Sequence, residues 1–62
     1  MDLDIISVGC IVREIARPYL HFAVVQISID RTGHARAELR NKMESRELTV
    51  KNLFRQYRIV TA

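Results

Sequence analysis

Seven basic side chains in the second half of the chain carry the clearest chemistry: Arg31, Arg36, Arg40, Arg46, Lys51, Arg55 and Arg58. Six are arginines. A guanidinium is a planar fork that donates two parallel hydrogen bonds, a geometry suited to phosphate and carboxylate oxygens. Lys42 adds to this excess, and only Glu38, Glu44 and Glu47 oppose it. Residues 1–30 lean the other way, with Asp2, Asp4, Glu14 and Asp30 against Arg13 and Arg17, and the whole chain is +3. A basic half suits a polyanionic or acidic partner. The plainer alternative is a solvated face whose charges pair across strands. Tyr19 and Tyr57 could stack bases if exposed, or could cap the core with their hydroxyls outward.

Other reactive side chains point nowhere in particular. Cys10 sits among Val8, Ile11 and Val12 and reads as a small buried hydrophobe. A nucleophilic thiol would need a histidine or a cation beside it; His21 or His34 could approach, but nothing local requires that. His21 and His34 have no carboxylate at a zinc-ligand spacing. No Ser-His-Asp order, glycine-rich phosphate loop or carboxylate pair stands out. The expectation is therefore a non-enzymatic protein, with no catalytic residues, cofactor or metal assigned.

The elements that must position these residues are short strands. Val25, Ile27 and Ile29 alternate with Gln26, Ser28 and Asp30, and Ala35, Ala37 and Leu39 alternate with Arg36, Glu38 and Arg40. Successive strand side chains point to opposite faces, so each run reads as a half-buried strand. Arg31-Thr32-Gly33-His34 joins them, with Gly33 supplying the positive φ of a short hairpin loop. Upstream, Leu20, Phe22 and Val24 are apolar at even positions, so the parity changes at Val24–Val25. A regular strand cannot move a row to its other face, and this predicts a bulge or bend within a long strand over Tyr19 to Asp30. Ile5 to Ala16 is the first strand, with Val8, Cys10 and Val12 in one row and Arg17-Pro18 ending it. Glu47 to Val50 is a short fourth strand, and Thr49 caps a helical turn over Val50 to Phe54. Leu53, Phe54 and Tyr57 then cover an open end, and Arg58-Ile59-Val60 is the closing strand.

A second reading competes for residues 35–58, which contain no Gly or Pro. Leu39, Met43, Val50, Leu53, Phe54 and Tyr57 fall at spacings that one helix face could gather, giving a hairpin plus a long C-terminal helix of α+β class. Asn41, Thr49, Val50 and Asn52 are poor interior helix formers and favour the all-β reading.

The order of strand, long bent strand, hairpin, short strand, helical turn and closing strand resembles the SH3-like small barrels, including KOW-type modules. Two segments carry the likeness: the ending Leu48 to Val60 and the opening Val8-Gly9-Cys10-Ile11-Val12. Short phage and prophage proteins look similar. The resemblance implies an all-β, five-stranded barrel with one short helical turn before the last strand. It also implies a nucleic-acid-binding or regulatory role, or alternatively a protein-interaction module such as a small phage-type effector or assembly subunit. With no Trp and no paired-tyrosine motif, a polyproline groove is not expected.

Sixty-two residues make one small domain, 1–62. A chain of this size buries only about 60% of its unfolded surface, so a homo-oligomer or a partner could supply the rest. The acidic start Met1-Asp2-Leu3-Asp4 is unlike a secretory leader, no apolar run approaches a membrane span, and one cysteine excludes an internal disulfide. A cytoplasmic protein is expected.

Overall fold

The computed structural model describes residues 6–61. The acidic start and Ile5 lie outside them. Five strands and one helix follow in the order β1 (Ile11–Glu14), β2 (His21–Ile29), β3 (Ala35–Arg40), β4 (Ser45–Thr49), α1 (Val50–Gln56) and β5 (Tyr57–Thr61). All pairings are antiparallel, and the sheet runs β4-β3-β2-β1-β5. No helix among the described residues is long and apolar enough to cross a membrane.

β1 is much shorter than residues 5–16. Gly9, at φ +102°, turns the chain just before it, and the Cys10 N–H donates to the Ser7 carbonyl at 3.1 Å. Val8 therefore leaves the inward row and is exposed. The row that does face inward is Cys10, Val12 and Glu14.

The parity change resolves as a bulge. Val24 pairs with Leu39 and Gln26 with Glu38, so Val25 is the extra residue. This lets Phe22 and Val24 on one side of the bulge, and Ile27 on the other, pack into the same core. Ile29, beyond Ile27, stays exposed. The β2–β3 loop is held by the Asp30 carboxylate. Its Oδ1 accepts from the Thr32 N–H at 2.9 Å, the Thr32 hydroxyl at 2.7 Å and the His34 N–H at 3.0 Å. Gly33 takes φ +86°, the left-handed conformation the loop needs.

No long helix forms over residues 35–58. Asn41 folds the chain back instead: its Oδ1 accepts from the Met43 and Glu44 N–H groups at 2.8 and 2.9 Å, and its own N–H donates to the Glu44 carbonyl at 3.0 Å. Such local side-chain bonds compete directly with helix formation. β4 consequently starts at Ser45, two residues before Glu47. Helix formation waits for Thr49, whose hydroxyl accepts from the Asn52 N–H at 3.2 Å as the N-cap. α1 has seven residues, longer than a single turn, and it drives Leu53 fully into the core while Phe54 is half-buried. Tyr57 ends it by passing straight into extended backbone, with its N–H donating to the Leu53 carbonyl.

Buried Cys10, Val12, Phe22, Val24, Ala37, Leu39, Leu53 and Tyr57 form the core on the inner face. β4 and β5, at opposite ends of the strand order, remain unpaired with each other through backbone, so the sheet is open.

Candidate functional site

Two polar assemblies are built on this sheet, one on each face. The inner one is centred on Glu14, which is only 9% exposed. It continues the Cys10–Val12 row of β1, so alternation forces its carboxylate inward. Arg17, on the turn after β1, grips it with Nε at 2.7 Å from Oε1 and Nη2 at 3.3 Å from Oε2. Arg46 comes from β4 across the core. Its Nη1 donates to Glu14 Oε2 at 3.2 Å and to the Tyr57 hydroxyl at 2.7 Å, and its Nη2 to Glu44 Oε2 at 2.9 Å. The same guanidinium lies 4.7 Å from the Phe22 ring centroid. The Phe22 and Tyr57 rings meet edge-on at 5.9 Å and 84°. The Arg17 hydrogen bond holds the Glu14 carboxyl below the usual glutamate range, against the opposing effect of burial and with further help from Arg46. The Tyr57 hydroxyl likewise raises Arg46 further above its already high value, so it stays charged. This is a strut between β4, β1 and β5. It binds the two edges of the open sheet together through side chains.

The outer assembly is a row of basic side chains across three strands. Arg13 on β1 lies directly opposite Arg58 on β5 and, on its other side, opposite His21 on β2. All three are exposed. Neighbouring strands are about 4.8 Å apart, so two guanidinium stems start from adjacent positions on one face. Neither arginine forms an ion pair among the described residues. Like charges placed directly opposite are destabilising unless an anion lies between them. The His21 ring nitrogen Nδ1 sits 3.3 Å from the Tyr19 carbonyl. The Asn41 side-chain amide donates to the His21 carbonyl at 3.1 Å, tying the link that carries Lys42 to this end of the sheet.

The seven basic residues singled out from sequence do not converge. Arg58 joins the outer row. Arg40 is outward too, opposite Ala23 in the next row, but is engaged with Glu38 at 2.9 Å. Arg36 sits between Asp30 at 4.0 Å and Glu47 at 3.8 Å. Arg31 is at the loop beyond the far end of β2, about 25 Å of strand from His21. Lys51 and Arg55 are exposed on α1. Arg55 helps line an open depression of about 400 Å³ with Glu14, Ile15, Ala16 and Gln56. Arg46 is turned inward and engaged by Glu14, Glu44 and Tyr57 in the strut.

Arg13 and His21 are not among those seven, and Glu14 faces inward although it is charged. Alternation alone would have placed Arg13 outward and Glu14 inward, once Cys10 and Val12 were known to face the core. The pairing of Arg13 with Arg58 joins opposite ends of the chain and leaves no local signal. Comparison with known protein families, with curated proteins and with solved structures finds no match to any of the three.

Proposed function

We propose that the chain is a non-enzymatic SH3-like small barrel that binds nucleic acid through the Arg58–Arg13–His21 row. The barrel reading is supported by the strand order β4-β3-β2-β1-β5, by the helix immediately before the last strand, and by the strut that draws β4 and β5 together. One observation carries the functional part: two arginines are set opposite each other on an exposed sheet face with no carboxylate between them among the described residues. Sequence-independent phosphate contact is the interaction that relieves such an arrangement most directly. An excess of base over acid in the chain as a whole adds long-range attraction.

Titrating single-stranded and duplex DNA and RNA at low and moderate salt tests this. Binding should weaken steeply with salt, with a log–log slope of about −0.7 to −0.9 per phosphate neutralised. Arg13→Ala and Arg58→Ala should each make that slope shallower. If no nucleic acid of any kind binds at low salt, the reading is wrong. The protein-interaction function would then take its place if a partner stays bound after nuclease treatment.

A further inference from the structure

Resting on that reading, we infer that the ligand is single-stranded nucleic acid, its phosphates on Arg13 and Arg58 and a base stacked on the ring of Tyr19. Tyr19 is 74% exposed, whereas the other aromatic side chains are withdrawn: Phe22 and Tyr57 are buried and Phe54 is half-buried. An aromatic ring left in water gains by stacking, and every base offers a π-face regardless of sequence.

The turn that carries the ring is fixed in its backbone. Pro18 precedes it with a fixed φ, and the Leu20 N–H closes the turn on the Arg17 carbonyl at 2.9 Å. The Tyr19 carbonyl faces the His21 ring nitrogen, so the turn is joined to the Arg58–Arg13–His21 row by the residue that ends that row. A backbone already fixed at the stacking residue has little entropy left to lose on binding.

Shape separates single strands from duplexes. The core and α1 fill the inner face, and the Arg46–Tyr57 contact draws the two edges inward, so the outer face bows outward. A duplex is itself a convex cylinder and meets such a face over a small area. A flexible single strand can follow it, passing its backbone over Arg58 and Arg13 while turning a base onto Tyr19.

The test uses the intact chain and a labelled oligothymidine of about twelve nucleotides, set against the matching duplex. The single strand should bind at least about tenfold more tightly. Tyr19→Ala should weaken oligothymidine binding about tenfold or more and leave the duplex unaffected, whereas Arg13→Ala weakens both. Tyr19→Trp should retain binding, and its emission should be quenched on adding oligothymidine. Circular dichroism of each variant establishes that it is folded. If duplex binds as well as single strand, or Tyr19→Ala is silent while Arg13→Ala still weakens binding, this inference fails and the broader one stands. If neither probe binds, both fail.

Discussion

Glu14 and Arg46 show how much a single inward-facing residue decides in a small sheet. Each occupies a position where alternation calls for an apolar side chain, and each is tolerated because the other is there. Removing Arg46 leaves Glu14 with Arg17 alone and the Tyr57 hydroxyl without its donor. Arg46→Ala should therefore lower the urea midpoint far more than Arg40→Ala, whose partner Glu38 lies on the wet face. Acid should act through the same group. The folded-state carboxyl of Glu14 titrates below its unfolded value, so the unfolded chain takes up the proton first as pH drops. Its contribution is fully present above the ordinary glutamate range and is lost as pH falls through the depressed value. Asp30, held down by the Thr32 hydroxyl and the His34 N–H, adds in the same direction. Urea midpoints measured from neutral to acid pH should fall. Glu14→Gln should flatten that dependence, and an unchanged slope would remove Glu14 from the account.

At the scale of elements, the informative sequence signals were local ones. The Val24–Val25 parity change located the bulge in β2, and Thr49 marked the start of α1, because each depends on a few consecutive residues. Strand ends were less legible. Tyr19 and Leu20 continue an apolar pattern, but the Arg17–Leu20 turn takes them out of β2. Gly9 does the same to Val8. The positive φ at Gly33 makes a direct check: Gly33→Val should cost about 1–2 kcal/mol in chemical unfolding without moving the β2–β3 register. In α1 the two apolar residues separate by burial. Leu53→Ala should cost about 2–5 kcal/mol, a large part of the stability of a domain this size, and Phe54→Ala distinctly less because its ring is half in water.

For the whole molecule, what could not be read in advance is what joins distant ends. β1 and β5 pair although more than forty residues separate them, and β4 reaches β1 and β5 through Arg46. By charge alone, the basic excess lies in residues 31–62. The fold splits that set: Arg31 and Arg36 go to the hairpin end, Lys51 and Arg55 to the helix, and Arg58 meets Arg13 from the acidic half. The proposed interface is thus defined by its place on the sheet as much as by its ligand. The most direct measurement is a nitrogen–proton NMR titration of the labelled protein with short oligothymidine at low salt. Shifts concentrated on the amides of Arg13, His21 and Arg58 and on Tyr19, with Arg31 and Arg36 unmoved, are the predicted result. Shifts centred on the Arg31–Arg36 hairpin or on the helix, or none at all, would contradict it.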